Sequence, residues 1–152
     1  MGLDMYLYRK IFISSYGDRK FDVSIKLNNN PTNIDPKRIS YLIEEVGYWR
    51  KANAIHKWFV TNVQDGKDDC GEYYVSEEKI KKLIDTCKKV LDNHELAHTL
   101  LPSTSGFFFG SIEYDDWYFD NLGQTVAICN EAINLLTENN SVGGSIYYHS
   151  SW

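Results

Sequence analysis

Residues 38–59 read RISYLIEEVGYWRKANAIHKWF, and the fold turns on where this stretch stops being extended. Ile39, Tyr41 and Ile43 alternate as they would on a strand, whereas Leu42, Val46 and Trp49 would suit a helix. A strand over 38–47, with Gly47 marking the change to a helix over 48–64, reconciles the two patterns. On that helix, with about 100° per residue, Tyr48, Trp49, Ile55, His56, Phe59, Val60 and Val63 share one arc. Arg50, Ala54, Lys57 and Thr61 take the opposite side, and Trp58 falls outside the apolar arc. An imidazole directed inward and an indole directed outward is the anomaly that singles out this segment.

Working outward, residues 3–14 alternate as a first strand, with Leu3, Met5 and Leu7 on one side and Tyr6 and Tyr8 on the other. SSYGDRK (14–20) reads as a turn. FDVSIKL (21–27) has Phe21, Val23, Ile25 and Leu27 at period two, so a hairpin with the first strand is expected. A polar loop, NNNPTNIDP (28–36), follows. Beyond the His56 helix come a turn at QDGKDDCG and a short strand, EYYV (72–75). Ser76 is placed to cap a helix that begins with Glu77 and Glu78 and runs to about residue 92. Residues 93–105 read as a loop and GFFFGSIEY (106–114) as an aromatic strand whose two sides are both covered. Asp115 caps a third helix over 116–138, the polar TENNSVGG follows, and SIYYHSSW (145–152) is a last strand. The expected fold is α+β: one domain over 1–152, an antiparallel or mixed sheet of about four to six strands, and three helices packed against it.

The third helix carries apolar residues on two sides. Phe119, Leu122, Val126, Cys129 and Ile133 form one face, and Trp117, Ile128 and Leu135 form another. Such a helix is either sandwiched within its own fold or buried by a second chain. The second alternative favours a homo-oligomer or partner surface.

Composition narrows the function. The chain is 43% hydrophobic and 24% charged, as a soluble globular protein is. Its net charge of −5 disfavours general nucleic-acid binding, which needs a positive face. Its start has no signal-peptide pattern, and no apolar run reaches the ~20 residues of a membrane span. Three widely spaced cysteines, without a CxxC pair, fit a reducing cytoplasm. Aromatic residues make up 14%, with 11 Tyr, and such rings serve both cores and interfaces.

Two readings of His56 stay open. It is a core histidine satisfied by a tyrosine hydroxyl, a carboxylate or a backbone carbonyl, or it is a base or ligand at the floor of a cleft. The catalytic candidates are His56, Asp65, Asp69 and Cys70, none of them part of a firm signature. Asp65, Asp68, Asp69 and Glu72 are dense enough to consider as cation ligands, but their spacing is not that of an EF-hand and their setting is ordinary turn chemistry. SGFFFGS (105–111) lacks the lysine and spacing of a phosphate loop. Residues singled out for contact with a partner or ligand are Trp49, Arg50, Asn53, His56, Lys57, Trp58 and Trp117. No cofactor is called for.

Six stretches together carry a resemblance. They are MGLDMYLY (1–8), EVGYWRKANAIHKWFV (45–60), NVQDGKDDCGEYYVS (62–76), LLPSTSGFFFGS (100–111), EYDDWYFDNL (113–122) and YYHSSW (147–152). They span most of the chain and resemble a family of small proteins encoded by phages and prophages, most distinctively at 49–59. The resemblance brings no catalytic residue with it. It implies a small protein of the bacterial cytoplasm, and such proteins often bind and inhibit host machinery, including defence systems. The first expectation is therefore a non-enzymatic protein-binding factor. The alternatives are a binder that sequesters a nucleotide or small signal molecule, and a metal- or Cys/His-dependent hydrolase.

Overall fold

A computed structural model describes residues 2–13, 21–138 and 142–152. Its strands are β1 (Asp4–Phe12), β2 (Lys26–Leu27), β3 (Asn30–Pro31), β4 (Tyr41–Arg50), β5 (Glu72–Val75) and β6 (Ser145–Ser151). Its helices are α1 (Asn53–Asn62), α2 (Glu77–Asp92), α3 (Ala97–Leu100) and α4 (Asp116–Thr137). The fold is α+β: a four-stranded antiparallel sheet of order β4-β1-β6-β5, with β2 and β3 as a separate two-stranded hairpin.

Strands β1 and β6 are the interior strands, and both alternate cleanly between buried and partly exposed residues. Leu3, Met5 and Leu7 are fully buried on the back face of the sheet, while Tyr6 and Tyr8 point to the front. The neighbours of β1 extend the back face in register: Met5 lies opposite Trp49 and Ser150, and Leu7 opposite Gly47 and Tyr148. A bulge beside Leu7 and Tyr8 leaves Val46 as the extra residue of β4, so that Glu45 lies opposite Tyr8.

The helices cover the back face. On α1, the Phe59 ring stacks on Tyr148 with centroids 3.9 Å apart and meets Trp49 at 6.1 Å. Helix α4 crosses β4 at Gly47, where a side chain would overlap Ile128. Nearby, Trp49 Nε1 donates to Thr125 Oγ1 at 2.9 Å, and Gln124 Nε2 donates to the carbonyl of Tyr48 at 2.9 Å. Helix α2 packs along α4 through a face that includes Leu83 and Cys87. The expected caps form: Ser76 accepts from the Lys79 amide and Asp115 from the Tyr118 amide.

The two-sided helix is thus sandwiched within its own fold. Ile128 meets β4, and the Leu135 carbonyl accepts from the buried Arg9 at 2.9 Å. Trp117 alone of that second face stays open, at 58% exposure.

Four expectations need correction. First, the strand through 38–47 continues to Arg50, because Tyr48, Trp49 and Arg50 pair with Tyr6, Met5 and Asp4. Lys51 then turns the corner at φ +57°, and the helix starts only at Asn53. Second, residues 21–25 add no strand, and the expected hairpin with β1 does not form. Both edges of β1 are taken by β4 and β6. Phe21 and Val23 instead line a hollow with Ile11, Ile13 and Leu42, so their period-two pattern reflects packing without a ladder. Third, GFFFGSIEY is a loop rather than a strand, and Phe107 stands 94% exposed. The Leu3 amide bonds the Phe108 carbonyl there, an isolated hydrogen bond outside any ladder. Fourth, the loop at 93–105 contains a short 3-10 turn (His94–Leu96) and α3. The turn expected at 14–20, and residues 139–141 of the polar stretch before β6, lie outside the described residues.

Candidate functional site

Both anomalous residues of the opening stretch are buried. His56 is 1% exposed and Trp58 6%, which corrects the outward placement of Trp58. The helical arc drawn for 48–64 assumed one covered side. Helix α1 is instead wrapped on several sides: Asn53, Ala54, Ile55, His56, Trp58 and Phe59 are all buried. Trp58 meets the Phe59 ring edge-on at 5.4 Å and forms a hollow with Leu100, Leu101 and Pro102.

Both His56 nitrogens are engaged. Nδ1 lies 2.8 Å from the Tyr148 hydroxyl and Nε2 lies 2.9 Å from Asp68 Oδ2. A carboxylate only accepts, so Nε2 carries a proton; in the neutral tautomer, Nδ1 then accepts from Tyr148. Burial pushes the Tyr148 phenol well above its ordinary pKa, which keeps its proton in place. The other Asp68 oxygen accepts from Trp152 Nε1 at 3.0 Å. The ring of Phe109 closes over the imidazole, with centroids 5.1 Å apart. This is the core-histidine reading, with two of its three named partners, a tyrosine hydroxyl and a carboxylate, present.

The other sequence candidates are dispersed. Asp69 accepts from the Gly71 amide and the Tyr73 hydroxyl, and these bonds hold its carboxyl below the usual carboxylate range. Asp65 is exposed at φ +50°, and Glu72 pairs with Lys10. Among the described residues no three His, Cys, Asp or Glu side chains group as a metal site. Trp49 is fully buried. Asn53 is a loop clasp: Nδ2 donates to the carbonyls of Phe109 and Ser111, and Oδ1 accepts from the Thr104 amide. Lys57 is exposed, and Arg50 reaches Asp4 at 4.0 Å. Cys70, half-buried at φ +54°, lies on the other side of the sheet from the His56 ring. With Tyr8, Ile43, Glu72 and His149 it lines an open concavity of about 530 Å³.

That concavity belongs to a surface that the sequence candidates reach only through Cys70, Glu72 and Arg50. The front of the sheet carries Tyr6, Tyr8 and Phe12 on β1, Tyr41, Ile43 and Tyr48 on β4, Tyr147 and His149 on β6, and Tyr74 on β5. Tyr6 and Tyr8 stack in parallel at 5.6 Å, and Tyr6 also meets Tyr48 at 5.3 Å and His149 at 6.0 Å. Phe12, Tyr41, Ile43 and Tyr74 are 59%, 54%, 58% and 58% exposed, so no described segment covers the sheet there. The signal was in the sequence as Tyr6 and Tyr8 on the polar side of β1. The same alternation in YYHS puts Tyr147 and His149 opposite Tyr148, but it says nothing about which strands would lie side by side.

No family model, no curated protein and no solved structure matches the chain. Among the described residues no helix is long and apolar enough to cross a membrane.

Proposed function

We propose that the protein acts by binding another protein, with the front of its sheet as the docking surface. The observation that carries this reading is the open row of aromatic side chains across all four strands. A globular chain does not ordinarily leave an extended apolar surface uncovered without a use for it. Tyrosine suits such a use: it brings a large rigid contact area and a hydroxyl that tolerates water until the partner arrives. The His56 network supports binding over catalysis, since the ring is sealed and neither nitrogen is free for a substrate.

Sequestering a nucleotide would use the same ring faces. Among the described residues, however, the two front-face cations are already engaged, Lys10 by Glu72 and Arg50 by Asp4, so neither of them is free there for phosphate. The resemblance to small phage and prophage proteins makes the cytoplasm of a bacterial host, and its defence systems, the first place to seek the partner.

Site-specific photo-crosslinking in the producing bacterium tests this. A photoreactive phenylalanine at Tyr8 or Tyr74 is expected to give one discrete adduct with a host protein, and the same residue at Lys57 or Lys88, on the helices, is not. Equal labelling from both sides, or from neither, would overturn the reading. An adduct of twice the chain mass would identify the partner as a second copy.

A further inference from the structure

We infer that the concavity beside Tyr8 receives a cationic side chain of the partner, an arginine by preference, laid on the Tyr8 ring and paired with Glu45. This rests on the protein-binding reading above and specifies its chemistry. The fold already contains one finished example of the arrangement. Lys10 places its ammonium 5.0 Å from the centre of the Tyr147 ring while it pairs with Glu72. Tyr147 and Tyr8 are register partners on adjacent strands. Tyr8 in turn lies opposite Glu45 on β4. The second position therefore repeats a ring and a carboxylate, with no cation among the described residues paired to it.

The charge count of the front face leads to the same place. Among the described residues its acids are Asp4, Glu45 and Glu72, and its cations are Arg50 and Lys10. Arg50 faces Asp4 and Lys10 pairs with Glu72, so Glu45 is the acid left without an ion pair among the described residues. The surroundings of Tyr8 register that charge: its phenol is pushed above the ordinary value by burial first, then by Glu45, Tyr6 and Glu72. A guanidinium fits because it is planar and weakly hydrated. It can stack on an aromatic face while its edge meets a carboxylate in two hydrogen bonds. The space exists, since the concavity over Tyr8, Ile43, Cys70, Glu72 and His149 is open to solvent. The chain's net charge of −5 adds a long-range attraction for a basic partner.

The test is an NMR titration of the labelled protein with a blocked Gly-Gly-Arg-Gly-Gly peptide and its citrulline counterpart, which keeps the shape and removes the charge. At millimolar peptide the arginine form is expected to shift the amides of Tyr8, Ile43 and Glu45, and the citrulline form is not. Glu45→Gln should weaken the response several-fold, as should high salt. Equal shifts from both peptides, a response indifferent to Glu45→Gln, or no shift at those residues would overturn the inference. If front-face crosslinks form while this titration fails, docking at the face stands and the arginine preference falls. If neither is seen, both fall.

Discussion

His56 and Asp68 are twelve positions apart in the chain and 2.9 Å apart in space, one ring sealed in the core and one carboxylate at its rim. Through Asp68, Trp152 is fastened to α1, and through Tyr148 the same imidazole is fastened to β6. One side chain thus ties α1 to β6 and, through Asp68, to Trp152, which gives the buried ionisable ring of α1 a structural role.

Removing the carboxylate should expose that dependence. Asp68→Ala leaves the buried Nε2 without its acceptor and releases Trp152, and a loss of about 1–3 kcal/mol is expected. Asp68→Asn keeps an acceptor oxygen and should lose less. Trp152→Phe should cost about 0.5–1.5 kcal/mol, and much of that cost should vanish in the Asp68→Ala background, because the two changes share one hydrogen bond. Urea unfolding of the four proteins measures this. Strict additivity would show that the Trp152 bond contributes nothing.

Gly47 makes a second test. A methyl group there would overlap Ile128 where α4 crosses the sheet. Gly47→Ala should therefore destabilise by about 1–3 kcal/mol, the usual cost of overpacking. Shortening the opposing side chain with Ile128→Ala should recover part of that loss. A double variant as unstable as the sum of the singles would mean that the cost has another origin.

The cysteines predict a difference in reactivity and a pH effect. Burial pushes the Cys129 thiol up to about 12, and burial with the neighbouring Cys129 pushes Cys87 higher still. Neither forms thiolate at neutral pH in the folded chain. In the native protein a thiol reagent should modify Cys70 alone, with Cys87 and Cys129 reacting after unfolding. The sign of the pH effect follows from proton counts. Above about pH 8.5 the unfolded thiols release protons that the folded ones retain. Stability is then complete below that value and declines as pH rises towards 12. Tyr148, raised by burial, adds to the decline above about pH 10. Unfolding midpoints collected from pH 7 to 11 should be flat at first and then fall, and a rise would contradict the burial of these groups.

Much of the architecture was legible because it is written in period two. Leu3, Met5 and Leu7 marked β1, and Ser76 and Asp115 marked their helices, since each signal is local. The strand at 38–47 was recovered, but its extension to Arg50 was not. Tyr48, Trp49 and Arg50 suit a helix as well as a strand, and their pairing with Tyr6, Met5 and Asp4 is a long-range choice. Residues 21–25 failed in the opposite way: a good local pattern found both edges of β1 already taken by β4 and β6. The front face stayed hidden for the same reason. Each strand contributes only a few of its aromatic residues, and the sheet order β4-β1-β6-β5, which brings them together, has no local signature.

The indoles give the sharpest check on how α1 and α4 are placed. Sequence periodicity set Trp58 on the outer side of its helix, yet it is 6% exposed between Phe59 and the Leu100–Pro102 segment, while Trp117 is 58% exposed at the start of α4. Truncating a buried aromatic removes its packing and leaves a cavity, so Trp58→Ala should cost about 3–5 kcal/mol. Trp117→Ala should change stability by no more than about 0.5 kcal/mol. Iodide quenching separates the same residues without relying on energies. Trp117 and Trp152, the latter 47% exposed, should account for the accessible emission, and Trp49 and Trp58 for the protected part. A Trp117→Phe variant should lose accessible emission and a Trp58→Phe variant should not. If the dependence were reversed, α1 would present its indole to solvent, and its packing against Phe59 and the Leu100–Pro102 segment could not be as described.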